Sequence, residues 1–65
     1  MNQLVASSGS FEGIEKLISE YFYNSKIILK KINGKTWNLL NSKEHEIGYI
    51  VVQKGKRFRL EEVVQ

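Results

Sequence analysis

The dipeptide Asn33-Gly34 constrains the fold of this chain more than any other feature of its sequence. It separates two runs, residues 27–32 and 35–40, which are rich in Ile, Leu, Thr and Trp. Asn-Gly favours a type I′ turn, because both central positions of that turn need positive φ and these two residues tolerate it best. We therefore expect residues 26–41 to form a β-hairpin with Asn33 and Gly34 as its loop.

A two-residue loop fixes which side chains stand opposite each other. The expected pairs are Ile28–Leu39 and Lys30–Trp37 on one face of the hairpin and Ile27–Leu40 on the other. Large apolar side chains thus point to both faces, whereas a sheet covered on one face alternates apolar and polar residues. We expect either a strongly curled sheet or a second copy or other protein partner on the face that a single helix leaves open.

The chain is short for a stable fold. Its 65 residues form one domain, and a domain of this size buries only about 60% of its unfolded surface. It has no Cys, no Asp and a single His, so disulfides and thiolate zinc sites are excluded and no metal or other cofactor is expected. Association into a homodimer is the remaining route to added stability.

One helix is predicted in the first third of the chain, ending near Tyr23. Ser10 suits its N-cap, and Glu12 and Glu15 lie where the helix dipole favours negative charge. Its apolar side chains recur at helical spacing and form one stripe, made of Phe11, Ile14, Leu17, Ile18, Tyr21 and Phe22. Residues 1–9 are interpreted as a flexible lead, with an extra edge strand as the alternative.

A second hairpin is predicted around Lys54-Gly55. Its expected pairs are Val51–Phe58 and Tyr49–Leu60 on the helix side, and Val52–Arg57 and Ile50–Arg59 on the outside. The chain as a whole is interpreted as α+β. One N-terminal helix packs on a four-stranded antiparallel meander (αββββ), in a single domain over residues 10–65.

The net charge of +3 is unevenly distributed. Residues 1–25 carry one Lys and three Glu, whereas residues 26–41 carry four Lys and no acid. In an up-and-down meander both hairpin tips emerge at the same end of the sheet, so the cations near them should share one rim. Such a rim suits contacts with backbone phosphates. The same lysines also fit an ordinary solvated surface.

The candidate nucleic-acid-binding residues are the cations near both tips and one aromatic residue. They are Lys30, Lys31, Lys35, Trp37, Lys54, Lys56, Arg57 and Arg59. Trp37 has two interpretations: a core residue packed on the helix or on the stem of Lys30, or a partly exposed anchor for a base or a partner. Arginines on a last strand also protect a sheet edge against unwanted pairing.

These features favour a small non-enzymatic accessory protein that binds DNA or RNA mainly through phosphates. The alternative is a protein-interaction or self-assembling module whose partner covers the second apolar face. An enzyme is not expected, because His45 lies between two Glu in a loop without a neighbouring nucleophile. No apolar stretch reaches the roughly 18 residues of a membrane span and no signal peptide is recognisable, so we expect no membrane contact and a cytoplasmic protein.

Overall fold

The computed structural model describes residues 2–64. They form strand β1 (Asn2–Ser8), helix α1 (Phe11–Tyr21), and strands β2 (Ile28–Asn33), β3 (Thr36–Leu40), β4 (Glu46–Lys54) and β5 (Arg57–Val63). The five strands make one antiparallel sheet in the order β1-β5-β4-β3-β2. The α+β class is confirmed. The sheet is open, with β1 and β2 at its two edges.

The expected number of four strands is wrong by one, because residues 2–8 form β1. This strand pairs with β5, from Asn2 opposite Val63 to Ser8 opposite Phe58, with a bulge at Val5. The structure therefore has the edge strand in place of the flexible lead; Met1 lies outside the described residues. The segment is short and mostly polar, so its strand conformation depends on its pairing with β5 rather than on its own residues.

Helix α1 begins as its sequence predicts. The Ser10 Oγ accepts a hydrogen bond from the backbone N–H of Gly13 at 3.0 Å, and Glu12 lies in the first turn. Ile14 and Ile18 are buried against the sheet. The helix ends at Tyr21, about two residues earlier than predicted, where the Phe22 N–H still reaches the Ile18 carbonyl.

The core lies between α1 and one face of the sheet, and its buried members are Ile14, Ile18, Leu39, Val51 and Leu60. Helix α1 packs on the β1 and β5 side of the sheet. We call the opposite face, turned away from α1, the far face. Its residues include Leu4, Ser7, Ile28, Lys30, Thr36, Asn38, Leu40, Glu46, Ile50, Val52, Lys54, Arg57, Arg59, Glu61 and Val63. Both faces are thus apolar in part, as the first hairpin predicts.

The first hairpin has a different register from the one that Asn33-Gly34 predicts. Asn33 pairs with Thr36, so Gly34 and Lys35 form the loop, and the register shifts at Ile32. Neither loop residue has positive φ, which excludes a type I′ turn. The Asn33 Oδ1 accepts a hydrogen bond from the Lys35 N–H at 2.9 Å, which holds Asn33 in the first position of the turn instead of its centre.

This shift changes every facing pair of the first hairpin. The observed pairs are Ile28–Leu40, Leu29–Leu39, Lys30–Asn38 and Lys31–Trp37. The expected pairing of Lys30 with Trp37 is therefore wrong. Lys31 shares the helix side of the sheet with Trp37, and Lys30 lies on the far face.

The second hairpin also turns one residue later than predicted. Its loop is Gly55-Lys56, and Gly55 has φ of 62° at the first central position, the pattern of a type II′ turn. The observed pairs are Gln53–Phe58 and Val51–Leu60 on the helix side, and Lys54–Arg57 and Val52–Arg59 on the far face. The predicted division of this hairpin into a helix side and an outside is correct, although the register is two residues off.

Asn41 organises the connection between β3 and β4. Its Oδ1 accepts hydrogen bonds from the backbone N–H groups of Lys43 at 2.9 Å and His45 at 3.0 Å, and Glu44 has φ of 62°. His45 is exposed in this loop. Within residues 2–64, no helix combines the length and the apolar character needed to cross a membrane.

Candidate nucleic-acid interface

The two hairpin loops lie side by side at one end of the sheet. Thr36 pairs with Val52, and the Gln53 N–H donates a hydrogen bond to the Lys35 carbonyl at 2.8 Å. Five exposed cations surround these loops, and we call them the tip rim: Lys31, Lys35, Lys54, Lys56 and Arg57. Their proximity follows from the antiparallel order of β2 to β5, as the meander predicts.

Arg57 is positioned by the edge strand. Its Nη2 donates a hydrogen bond to the Ser7 Oγ at 3.1 Å, so β1 fixes the direction of the guanidinium group. Ser7 lies within residues 1–9, the segment that the sequence analysis interprets as a flexible lead outside the domain. No pattern in the sequence indicates this contact, because it depends on the pairing of β1 with β5.

Arg59 is separated from the tip rim by its own ion pair. Its Nε lies 2.9 Å from the Glu61 Oε2, and this is the only ion pair within 4.0 Å among residues 2–64. The Glu61 Oε1 accepts a second hydrogen bond, from Asn2 Nδ2 at 3.2 Å. The positive charge of Arg59 is thus largely balanced, whereas the rim cations have no such partner among the described residues.

Glu61 stays ionised at neutral pH although it is only 7% exposed. Burial alone would raise the pKa of this carboxyl group, because it disfavours the charged form. The hydrogen bonds from Arg59 and Asn2 outweigh burial and lower the pKa below its usual range. Glu61 is therefore the anionic centre of a small polar network that ties β1 to β5.

Lys30 also lies apart from the tip rim. On the far face it stands beside Asn38 and, with Glu44 and Glu46, lines an open cleft of about 470 Å³. Carboxylates are close to it there. Of the seven candidate cations, five lie around the two loops, Arg59 is paired with Glu61, and Lys30 lies on the far face. Lys31 also lines the cleft that contains Glu44 and Glu46, so it belongs to the rim and borders these carboxylates.

Trp37 is packed beneath the rim. Its ring centroid lies 5.0 Å from that of Phe11 and 6.0 Å from that of Phe58, and the Lys31 Nζ stands 5.6 Å from the indole ring. These contacts favour the core interpretation of Trp37, with Lys31 in place of Lys30 as the cation above it. Trp37 then supports the rim, since its ring lies beneath the ammonium group of Lys31.

A second aromatic cluster lies towards the end of α1 that is remote from Phe11. Tyr49 packs edge-to-face on Phe22, with ring centroids 5.0 Å apart. The ring centroid of Tyr21 lies 6.0 Å from that of Tyr49. The Tyr21 hydroxyl, burial and the negative charge of Glu62 together raise the pKa of Tyr49 to about 12. Tyr49 is therefore a neutral group that can pack and donate a hydrogen bond but carries no charge at neutral pH.

Within residues 2–64, no three side chains of His, Asp or Glu come together. A further cleft, of about 270 Å³, lies between α1 and β2 and is lined by mixed residues that include Glu15, Ser19, Lys26 and Ile27. The expectation that the protein needs no cofactor stays a prediction.

The tip rim is thus an exposed cationic surface on a fixed scaffold of two joined hairpins. No protein-family model, curated protein or solved structure matches this chain.

Proposed function

We propose that this protein binds nucleic acid through the tip rim, as a non-enzymatic accessory protein that contacts phosphates. One observation carries the proposal. The hydrogen bond between Gln53 and the Lys35 carbonyl holds two basic loops side by side, so that five exposed cations share one end of the sheet. A cytoplasmic location, expected from the sequence, stays a prediction.

The charge of the rim favours a polyanion as its ligand. Like charges held at one end of a small domain repel each other, and a chain of phosphates would relieve that repulsion and release its own counterions. The rim extends over β2 to β5, which is about 14 Å at the usual spacing between strands. That width corresponds to roughly four nucleotides of one strand.

Little base readout is expected at this surface. Trp37 is engaged with Phe11, Phe58 and Lys31, so the aromatic residue nearest the rim is already packed. Lysine contacts with phosphates position a protein but carry no sequence information. We therefore expect binding to DNA and RNA of mixed sequence with small differences between them.

The test is a fluorescence anisotropy titration with labelled duplex DNA, single-stranded DNA and RNA at several salt concentrations. For duplex DNA, the logarithm of the binding constant should fall linearly with the logarithm of salt, with a slope corresponding to about three to five phosphate contacts. Absence of binding even at low salt would contradict the proposal.

Paired charge reversals separate the rim from net charge. Lys35→Glu with Lys56→Glu changes two loop residues of the rim, and Lys16→Glu with Lys43→Glu makes the same charge change elsewhere on the exposed surface. The first pair should weaken binding at least about tenfold more than the second. Equal losses in both pairs would show that total charge, and not the rim, determines binding.

The alternative function, a module that binds a protein partner, concerns the far face instead of the rim.

A further inference from the structure

The far face has a charge polarity along its central strand. Strand β4 is the third of the five strands, begins with Glu46 and ends with Lys54. Ile50 lies four residues from each of them, and pairing with Asn38, Leu40 and Arg57 places Ile50, Glu46 and Lys54 on the far face. A register shift between Ile50 and Glu46 brings Glu46 closer to Ile50 than Lys54 is. The strand thus presents an acid at one end, an aliphatic side chain at its centre and a cation at the other end.

The neighbouring strands repeat this pattern. Arg57 pairs with Lys54 at the basic end, and Glu44 lines the same cleft as Glu46 at the acidic end. Between the two ends lies a half-buried or buried aliphatic band, made of Ile28, Leu40, Ile50 and Val52. Within residues 2–64 the single helix packs on the opposite face. In one copy of the described chain no helix or second sheet covers the band, in which Leu40 is 5% exposed and the other three side chains are half-buried.

We infer that a second copy of this chain covers the far face, with the β4 strands of the two copies antiparallel and a two-fold axis near Ile50 and Val52. In that arrangement Ile50 and Val52 pack on the same pair of the second copy, and Lys54 stands over the second copy's Glu46. Packed sheets lie about 10 Å apart with nearly aligned strands, a distance that Lys and Glu side chains can bridge. Each interface of this kind contains the pairing twice.

Charge complementarity selects this arrangement over the other two-fold one. Turning the second copy about an axis parallel to the strands would place Lys54 on Lys54 and Glu46 on Glu46, and like charges face to face are unfavourable. The antiparallel arrangement leaves two like-charge approaches, between the two Lys30 side chains and between the two Glu61 side chains, because both residues lie level with Ile50. Lys30 shares its cleft with Glu44 and Glu46, and Glu61 is paired with Arg59, which moderates the repulsion.

The dimensions of the domain fit such a dimer. It measures 31 × 25 × 20 Å, and the shortest dimension corresponds to one sheet and one helix layer of about 10 Å each. The two longer dimensions, 31 and 25 Å, outline a face of at most about 800 Å². This is close to the area that each partner contributes to a standard interface.

This inference shares only Lys54 with the proposed nucleic-acid interface, because the dimer pairs Lys54 with Glu46 of the second copy. The loop cations Lys35 and Lys56 remain free in the dimer, and Arg57 lies at its edge. If Lys35→Glu with Lys56→Glu binds nucleic acid like the wild type, the inference of a dimer still stands. If the protein is monomeric, the proposal that the tip rim binds nucleic acid still stands.

The experiment is sedimentation equilibrium of the full chain, up to about 500 µM, where even a weak interface associates. The wild type should form dimers. Lys54→Glu and Glu46→Lys should each raise the dimer dissociation constant at least about tenfold, and the double variant should restore it towards the wild-type value. The control is Glu20→Lys, which changes the charge of an exposed residue on α1. Circular dichroism establishes that each variant is folded.

Three results would overturn the inference. They are a monomeric wild type over this range, single reversals that associate like the Glu20→Lys control, and a double variant no better than the single ones. Ile50→Glu gives a second route that does not depend on the ion pairs. A folded Ile50→Glu protein should be monomeric. If it still dimerises, the interface lies on another surface of the protein.

Discussion

Two serines and a glycine show how strongly single residues determine the entry into α1. A Cβ atom on Gly13 would overlap with the Ser8 Oγ and would lie 3.0 Å from the Ser10 Oγ. The N-cap role of Ser10 can be predicted from sequence, because it depends on neighbours in the chain. The need for glycine at position 13 cannot, because it depends on where the end of β1 meets the helix.

Gly13→Ala should destabilise the protein, although alanine favours helix by about 1 kcal/mol. Crowding against Ser8 should outweigh that gain and leave a net loss of about 1–2 kcal/mol. Urea denaturation measures it, with Ser8→Ala as the partner variant. If Gly13→Ala with Ser8→Ala is no more stable than Gly13→Ala alone, the contact with Ser8 is not the cause.

Glu61 makes stability depend on pH in a defined direction. Its pKa is lowered in the folded protein, so its contribution is present above the pKa of the unfolded chain, at about 4.3, and is lost as pH falls through the folded value. Glu61→Gln should therefore cost about 1–3 kcal/mol at pH 7 and progressively less in acid.

Urea titrations of wild type and Glu61→Gln between pH 7 and pH 3 measure that difference. Glu20→Gln, at an exposed position of α1, is the matched control. A Glu61→Gln difference that stays constant with pH, or an equal loss in the control, would contradict the role given to the network of Asn2, Arg59 and Glu61.

At the scale of elements, the sequence predicts that both hairpins exist but does not predict which residues pair within them. Runs of β-branched and aromatic residues around glycine indicate both hairpins correctly. The register depends on one hydrogen bond in the first hairpin, from the Lys35 N–H to Asn33, and on the position of Gly55 in the second. Both turns place glycine one position earlier in the loop than the sequence rule assumes. The candidate rim survives this error because a one-residue shift moves the loops but not the end of the sheet.

The two glycines of these loops should respond oppositely to substitution. Gly34 has no positive φ, and a Cβ added to it would meet no atom within 4 Å, so Gly34→Ala should be neutral or stabilise by about 0.4–1 kcal/mol. Gly55 has φ of 62°, and Gly55→Ala should cost about 1–2 kcal/mol. Thermal unfolding of both variants measures the contrast. A larger loss at Gly34 than at Gly55 would restore the type I′ turn predicted from Asn33-Gly34.

At the scale of the whole molecule, β1 is the element for which sequence analysis preferred a flexible lead over the edge strand that it gave as the alternative and that the structure has. It pairs along β5, it contributes Ser7 to the position of Arg57, and Asn2 to the network of Glu61. Residues 2–8 contain no charge and little regular alternation. Because the strand is specified by a partner distant in sequence, local patterns could not identify it.

Removing β1 tests whether it belongs to the folded domain. A chain that begins at residue 9 loses the hydrogen-bond partner of β5 and part of the cover of α1. A domain of this length has about 3–10 kcal/mol of stability in total, so we expect the truncated chain to be largely unfolded. Far-UV circular dichroism and a melting curve measure this. A truncated chain that melts as the full one does would return residues 2–8 to the role of a dispensable lead.

The pairing of β1 with β5 also determines the order in which the molecule can assemble. Strands β2 to β5 and their two hairpins can form from local contacts as soon as they are synthesised, because each pairs with its neighbour in sequence. Strand β1 leaves the ribosome before the other four strands but finds its partner only after β5 has followed, and closing so long a loop is slow. Strand β1 is therefore the last strand of the sheet to be fixed, and until then one side of β5 is open to pairing with other chains.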